Sequence, residues 1–226
     1  MLNPIDYSIS KFITFIDDET HQYIRNVSTT KHFKKGTVIE TRGQIARHIY
    51  LIENGLVQVG INGADGSQFN LTRIGSGHTF GETAFFLNQK VIHDAYAESD
   101  VVLRQLSRQN IDDLMQSSLI FSKALVSVAC MRVQTTLSHI GDTLGMPLYA
   151  RTAKQILSIS HSVGNAKIIN LRQVDLAHSL GVSRVSIGKA LKTLSDKKLI
   201  KIGYGKLEII SHEVLANTVH KNQYNH

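Results

Sequence analysis

Two cations, Arg184 and Lys189, stand near the start of a predicted short helix, where they suit contact with a nucleic acid. Arg184 can donate two hydrogen bonds to the edge of a guanine, or it can hold a phosphate. Lys189, about one turn further on, is a second candidate for a base or a phosphate. Val185 offers only apolar contact, for example to a thymine methyl, and Ser186 is exposed beside it. The chemistry that these four residues predict is recognition of double-stranded DNA.

Three more residues complete the helical part of this predicted interface. Ser183 precedes the helix, where its side chain can cap free backbone N–H groups and its hydroxyl can touch a phosphate. Lys192 is a second phosphate contact, and Arg172 is the fourth cation of the set. Phosphate contacts of this kind position a protein on DNA without specifying the sequence.

The charge of the chain is unevenly distributed. The net charge is +7. Residues 145–226 hold 12 Lys and Arg against 4 Asp and Glu, a balance of +8, whereas residues 1–144 hold 13 against 14. A basic second half fits a polyanionic partner, and a neutral first half suggests a different task.

The residues predicted to contact DNA need a helix-turn-helix to position them. Two short amphipathic helices fit this part of the sequence, over about 172–179 and about 184–195. Ala177 permits a close helix crossing, Gly181 permits a left-handed turn, and Ile187 fills the space between the helices. The spacing of these three residues is typical of a helix-turn-helix.

A hairpin is predicted directly after the second helix. Residues 199–202 and 207–210 alternate as two strands, and residues 203–206 form the turn. A hairpin at this place is the wing of a winged helix. Lys201 and Lys206 can reach a neighbouring phosphate from it.

The first half of the chain is predicted to be a β roll. Residues 33–106 contain short β-rich runs separated by glycines: TVIET, HIYLI, LVQVGI, FNLTRI, DAYAES and VVLRQL. Frequent turns between short strands favour an antiparallel, jelly-roll-like arrangement. Asp65-Gly66 predicts a hairpin turn, and residues 8–26 predict one or two short helices. The expected fold class is therefore α+β.

A long helix over 118–144 is predicted between the two halves. One row of residues has alternating spacings of three and four, the pattern of a heptad seam: Leu119, Ser122, Val126, Ala129, Val133, Thr136 and Ile140. A second apolar row, Phe121, Leu125 and Val128, lies beside it. One row can pack on the roll while the seam meets a second copy of the helix, so a homodimer is expected.

The ends of this helix set the predicted domain boundaries. Asn110 is predicted to cap a short helix before it, and residues 141–147 are predicted to interrupt it. The expected domains are a sensor roll over 1–117, a dimerisation helix over 118–144 and a DNA-binding domain over 145–226.

Several classes of protein are not expected. A single cysteine, Cys130, excludes an intrachain disulfide and a cysteine-only iron–sulfur cluster within one chain. The sequence shows no nucleophile–base pair, no HExxH spacing and no P-loop, so neither an enzyme nor a metal site is expected. It lacks a run of eighteen apolar residues and a signal-peptide pattern at its N-terminus, which predicts a cytoplasmic protein without a membrane span.

The order of these elements resembles the Crp/Fnr superfamily of transcription regulators over about residues 10–210. The stretch SRVSIGKALKTLSDKKLIK, residues 183–201, is similar to the recognition helix and the start of the wing of that family. FGETAFF, residues 80–86, is similar to the Gly-Glu phosphate-binding cassette of cyclic-nucleotide domains. The resemblance implies a homodimer in which a signal at the roll shifts the two winged helices between two states.

The sequence departs from this family at the positions that would hold cyclic AMP. Members that bind it follow Gly-Glu with Arg-Ser or Arg-Ala about ten residues on, and the arginine pairs with the phosphate. Here His93 and Asp94 stand there, and Asp94 would repel a phosphate. A Thr-Ser pair that contacts the base corresponds to Thr136 and Leu137. We therefore expect an effector other than cyclic AMP. The glutamate that reads a cytosine in many members is Val185 here, so a different target site is expected.

The effector itself is left open by the sequence. By resemblance, the candidate residues of its pocket are Gly81, Glu82, Thr83, Ala84, His93, Asp94 and Thr136. Some members bind haem through a histidine, which makes His78 and His93 candidate ligands and a haem-based gas sensor one alternative. A ligand-binding regulatory subunit that does not bind DNA is another. RNA polymerase is a candidate further partner.

Overall fold

The computed structural model describes residues 11–62 and 68–223. The chain folds into two compact units, one of residues 8–134 and one that contains residues 135–226. The predicted α+β fold class is confirmed: antiparallel β sheets are followed by a long helix and a helix-turn-helix region. The predicted Asp65-Gly66 turn lies outside the described residues.

The first unit begins with a 3-10 helix, Phe12–Phe15, and helix α1, Asp18–Val27. Eight strands follow within the described part of this unit, and their bounds are β1 Thr29–Phe33, β2 Val38–Glu40, β3 His48–Asn54, β4 Leu56–Asn62, β5 Gln68–Gly75, β6 Thr79–Phe80, β7 Asp94–Ala97 and β8 Val101–Ser107. They form two antiparallel sheets with the orders β1-β8-β3-β6 and β2-β7-β4-β5. Each predicted run coincides with or overlaps a strand, whereas β1 and β6 correspond to no predicted run.

Strand β3 contributes side chains to two apolar cores of the roll. Tyr50 and Ile52 belong to a core that combines residues of both sheets, whereas Ile49 and Leu51 belong to a core shared with the helices. Successive residues of a strand face opposite sides, so β3 is apolar on both faces. The roll therefore has an inner core between its sheets and an outer core beneath its helices.

Helices α2 Glu82–Leu87 and α3 Arg108–Ser117 complete this unit together with the first part of α4 Leu119–Gly145, whose residues from Thr135 onward belong to the second unit. The prediction that Asn110 caps α3 is wrong. The Ser107 hydroxyl accepts the Asn110 backbone N–H, and the Asn110 side chain accepts the Ser107 N–H at 3.0 Å, so Asn110 completes a capping box. The predicted interruption over residues 141–147 is confined to Met146 and Pro147, because α4 continues through Gly141 to Gly145 and the next helix begins at Leu148.

The second unit is a winged helix. Its elements are α5 Leu148–Ser162, β9 Ile168–Asn170, α6 Gln173–Leu180, α7 Arg184–Asp196, β10 Ile200–Gly203, β11 Lys206–Ile209 and α8 His212–Gln223. The strands form an antiparallel sheet in the order β10-β11-β9. Residues of α5, α6, α7, the sheet and α8 share one buried apolar core.

None of the described helices is by itself long and apolar enough to cross a membrane. By length and composition alone, α3 and α4 pass that test as a pair bent by 113°.

Candidate nucleic-acid interface and sensor site

Local contacts fix the helix-turn-helix at the residues that the sequence indicated. Gly181 ends α6 with φ of 64°, in the left-handed region where glycine has no steric penalty. Ala177 and Ile187 are buried where α6 packs on α7. The Ser183 hydroxyl accepts a hydrogen bond from the Ser186 N–H at 3.1 Å, which caps α7. The start of α7 is therefore defined by a side-chain cap and by apolar packing on α6.

The first turns of α7 present uncompensated positive charge to the solvent. Arg184, Lys189 and Lys192 are exposed, and among the described residues none of them has an acidic partner. Val185 is 69% exposed between them. Ser186, which the sequence predicts to be exposed, is half-buried, and its hydroxyl lies 3.0 Å from that of Ser183. An unpaired cationic face beside an exposed apolar residue is suited to a DNA groove.

Two other predicted DNA contacts already have acidic partners. Arg172 donates from Nε and Nη2 to the two carboxylate oxygens of Asp175 at 2.9 and 2.8 Å. This hydrogen-bonded partner raises the pKa of Arg172. The ammonium of Lys201 lies 3.6 Å from a carboxylate oxygen of Glu208 across the wing. Because all four side chains are partly exposed, such pairs are weak and can exchange for phosphate.

The tip of the wing carries a residue that sequence reasoning did not select. Tyr204 lies in the turn between β10 and β11 and is fully exposed. Gly205 has φ of 65°, which permits this tight turn. Lys206 follows it and is also exposed. The signal was present in the sequence as an aromatic residue between two glycines in a predicted wing turn.

In the roll, the Gly-Glu pair lies where β6 meets α2. Gly81 has φ of 92°, and a Cβ there would lie 2.9 Å from the carbonyl oxygen of His48. Glycine is therefore required at this position by both conformation and space. Thr83 is exposed on α2, and Ala84 is half-buried against the outer core.

Glu82 is buried and forms an ion pair with Arg132 of α4. A second nitrogen of Arg132 donates to the carbonyl oxygen of Thr79 at 2.5 Å. Burial lowers the pKa of Arg132 to about 10. The sequence interpretation included Glu82 but missed Arg132, whose contacts with the roll bring together residues far apart in the sequence.

The remaining predicted pocket residues have different surroundings. Asp94 is buried, and its carboxylate accepts the Arg42 N–H at 2.8 Å. His93 is half-buried, and burial lowers its pKa although Asp94 opposes this effect. Thr136 is exposed on α4. His78 is buried, and its Nδ1 lies 2.9 Å from the Gly75 carbonyl oxygen, so it supports a turn. Among the described residues, no group of three His, Cys, Asp or Glu could hold a metal ion.

A cavity of about 410 Å³ lies in the roll beside this region. None of its lining residues belongs to the predicted pocket: Ile39, Glu40, Gln44, Ile45, Arg47, His48 and Tyr50. Glu40 and Tyr50 are buried, whereas Gln44, Ile45 and Arg47 are exposed. The cavity therefore has a buried floor and an exposed rim.

The predicted seam of α4 is largely exposed. Val126, Val133 and Ile140 are 62%, 59% and 49% exposed, and Ala129 is exposed as well. The hydroxyl of Ser122 lies 3.3 Å from the Ser118 and Met115 carbonyl oxygens, so this member of the seam contacts its own chain.

The second row of α4 is confirmed as the roll-facing side. Phe121, Leu125 and Val128 are buried in the outer core. The long helix thus has one apolar side that is covered by its own chain and another that is not.

Comparisons with known proteins match two separate segments of the chain to known families. Residues 30–118 match the cyclic nucleotide-binding domain family, and residues 150–218 match the Crp-like helix-turn-helix domain family.

Two similar relatives come from Mycobacterium tuberculosis. The HTH-type transcriptional regulator Cmr is 26% identical over 79% of this chain and 71% of its own length. The CRP-like cAMP-activated global transcriptional regulator is 25% identical over 79% and 82%. The structure of a CRP/FNR-family transcriptional regulator from Thermus thermophilus is similar with a TM-score of 0.58 and 23% identity, over 86% of this chain and all of that chain.

Proposed function

Because the chain belongs to the Crp/Fnr superfamily of transcription regulators, we propose that it is a homodimeric, sequence-specific DNA-binding regulator controlled by a small effector other than cyclic AMP. The observation that carries the proposal is the capped start of α7, which presents Arg184, Lys189 and Lys192 without acidic partners among the described residues. In the proposed regulator, residues 1–117 form the sensor, residues 118–144 form the dimerisation helix and residues 145–226 form the DNA-binding domain.

The proposed DNA contacts fall into two groups. Arg184 donates to a guanine edge, Val185 contacts a thymine methyl, and Lys189 reaches a base or a phosphate. The others contact phosphates, and they are Arg172, Ser183, Ser186, Lys192, Lys201 and Lys206. Of these, Arg172 and Lys201 first exchange their carboxylate partners for phosphate oxygens. Base contacts supply selectivity, and phosphate contacts supply affinity that depends on salt.

The exposed seam of α4 supports the dimer. Val126, Val133 and Ile140 recur at intervals of seven residues, so they lie along one line of the helix. A second copy of α4 would remove these three apolar side chains from water, and Ala129 between them permits close approach. Two copies of the winged helix can then read two half-sites of an operator.

The contacts in the roll support an effector other than cyclic AMP. Glu82 already pairs with Arg132. Asp94 belongs to the His93-Asp94 pair that stands where cyclic-AMP members have Arg-Ser or Arg-Ala, and it holds the backbone of Arg42. A signal that alters the Glu82–Arg132 pair would act directly on α4. This pair is therefore the proposed link between the sensor and the helix, and RNA polymerase is a candidate partner of the DNA-bound form.

A binding experiment with fragmented genomic DNA of the source organism tests the function. We expect salt-sensitive complexes with selected fragments, as in a sequence-specific binder. Arg184→Ala should weaken specific binding by about 1–3 kcal/mol and relax selectivity, while the oligomeric state remains unchanged. Lys221→Ala, which removes an exposed lysine from α8, is the matched control.

The rival function is a ligand-binding regulatory subunit that does not bind DNA. It predicts no selected fragments at any salt concentration. Full affinity and selectivity in the Arg184→Ala protein would contradict the assigned role of α7.

A further inference from the structure

The cavity in the roll has the size of a small-molecule site, although its residues are not those of the Gly-Glu cassette. Its volume of about 410 Å³ is near the lower end of the range for ligand pockets, roughly 300–1,000 Å³. The floor is formed by Glu40 and Tyr50, and Ile39 and Ile45 add apolar surface. The cavity can therefore hold a compact organic molecule.

Glu40 is the unusual residue of the floor. Only 7% of its surface is exposed, and among the described residues its Oε2 has no hydrogen-bond partner. A register shift between Val38 and Glu40 in the pairing of β2 with β7 explains how a glutamate comes to be buried here, since a bulge redirects the side chains that follow it. An ionised carboxylate that is buried without a partner is unfavourable, and a ligand with N–H donors can supply the partner.

The rim of the cavity is fixed before any ligand arrives. The loop between β2 and β3 is held by hydrogen bonds from the Gly43 N–H to the Val91 carbonyl and from the Val91 N–H to the Gln44 carbonyl, both at 2.8 Å. Asp94 accepts the Arg42 N–H from the same loop. A preformed mouth reduces the ordering that binding requires.

We propose that this cavity binds a small molecule with a protonated amine or amidine group, which donates hydrogen bonds to the Glu40 carboxylate. The inference deepens the proposed sensor function of the roll and rests on it. Such a group supplies both the positive charge and the N–H donors that Glu40 lacks. An anion would place two negative charges together in a buried site.

The neighbouring groups are compatible with a cationic ligand. Burial, with Lys31 and Arg47 nearby, lowers the pKa of His48, which favours its neutral form. The side chain of Arg47 lies on the exposed rim, where water screens its charge. Tyr50 stacks on Phe80 with 4.8 Å between ring centroids, so its ring is held in place as an apolar wall.

Three probes of nearly equal shape test the proposal on the full chain: benzamidine, benzamide and benzoate, which are cationic, neutral and anionic. Calorimetric titration at about pH 8 keeps Glu40 ionised, because burial raises its pKa to about 7. We expect benzamidine to bind at least about tenfold more tightly than benzamide, and benzoate more weakly than both. Glu40→Gln should reduce benzamidine affinity about tenfold and leave benzamide unchanged. Glu213→Gln, at an exposed position of α8, is the control.

Three results would overturn the proposal. They are tighter binding of benzoate than of benzamidine, no benzamidine binding at millimolar concentrations by the folded wild-type protein, and an unchanged benzamidine affinity in Glu40→Gln. The first two need no variant, so a failure of Glu40→Gln to fold does not affect them. DNA binding is measured separately. If the protein binds selected DNA but not benzamidine, the ligand proposal fails and the proposed DNA-binding function stands.

Discussion

The Glu82 carboxylate and the Arg132 guanidinium compensate each other in a site where neither is well hydrated. Side-chain exposure is 6% for Glu82 and 24% for Arg132. A buried ion pair contributes little compared with an apolar pair of the same shape, but loss of one partner leaves an uncompensated buried charge. The pair therefore makes the docking of α4 on the roll sensitive to any change at either residue.

Arg132→Ala is expected to lower the free energy of unfolding by about 3–5 kcal/mol, because Glu82 then stays buried without its partner. Addition of Glu82→Gln should recover part of this loss, since a neutral amide is easier to bury. Urea unfolding of both variants measures the effect, and Lys123→Ala on the exposed side of α4 is the control. Equal stability of Arg132→Ala and the control would show that the ion pair has no structural role.

Glu40 predicts an unusual dependence of stability on pH. Burial raises its pKa from 4.5 to about 7, so the folded protein favours the protonated form. The stabilisation is fully present below about pH 4.5 and is lost as the pH rises through about 7. Its size is on the order of 3 kcal/mol, from about 1.4 kcal/mol for each pKa unit. The free energy of unfolding should fall between about pH 5 and pH 8, and this fall should be larger in the wild-type protein than in Glu40→Gln. The same difference in both proteins would exclude Glu40 as the cause.

Residues whose roles depend on near neighbours could be predicted, and those that depend on distant pairing could not. Ser183 as the cap of α7 and Gly181 as the turn follow from a few adjacent positions. The burial of Glu40 depends on a bulge against β7, and the role of Arg132 depends on the docking of α4. No local pattern contains either contact.

At the scale of elements, α4 has two apolar rows, of which one is buried and the other is exposed. Phe121, Leu125 and Val128 are buried against the roll, whereas Val126 and Val133 are mostly exposed. Small local patterns sufficed to predict both rows, because helical spacing alone determines which residues share a side. The exposed row is not covered by any of the described residues, and we propose a second copy of α4 as its partner.

Val133→Glu is expected to shift the protein from dimer towards monomer, because it places two carboxylates together in an apolar seam. The dissociation constant, measured by analytical ultracentrifugation, should rise at least about tenfold, equivalent to 1.4 kcal/mol. Gln134→Glu adds the same charge at the next position, outside the seam. If the two variants dissociate equally, the seam does not form the dimer interface.

Some elements gave too weak a signal in the sequence. Helix α2 has only six residues within a glycine-rich β region, and α8 follows the wing without strong amphipathic spacing. Both are stabilised by packing: Phe85 of α2 and Leu215 of α8 are fully buried. Short helices generally depend on such tertiary contacts, which explains why their own residues do not predict them.

For the whole molecule, the separation of charge is the property that governs encounter with DNA. Residues 145–226 carry a balance of +8, whereas residues 1–144 carry −1. Each neutralised phosphate releases condensed counterions, so the affinity of this half for DNA should fall steeply as salt increases.

Lys192→Ala is expected to reduce the slope of log affinity against log salt by about 1 for each half-site, with little change in sequence preference. Arg184→Ala differs from it by relaxing the preference itself. Fluorescence anisotropy with a selected and a scrambled duplex over a series of salt concentrations separates the two effects. A Lys192→Ala protein with the wild-type slope does not contact a phosphate through that residue.

Cys130 is the sole cysteine of the chain, and it is exposed on α4, four residues after Val126 of the seam. A thiol-reactive spin label or fluorophore will therefore attach at one position per protein, on the helix proposed to join two copies. The native sequence thus already contains a single site for a spectroscopic label. Label-to-label distances, recorded with and without DNA or a candidate ligand, can follow the two helices directly and without any engineered residue.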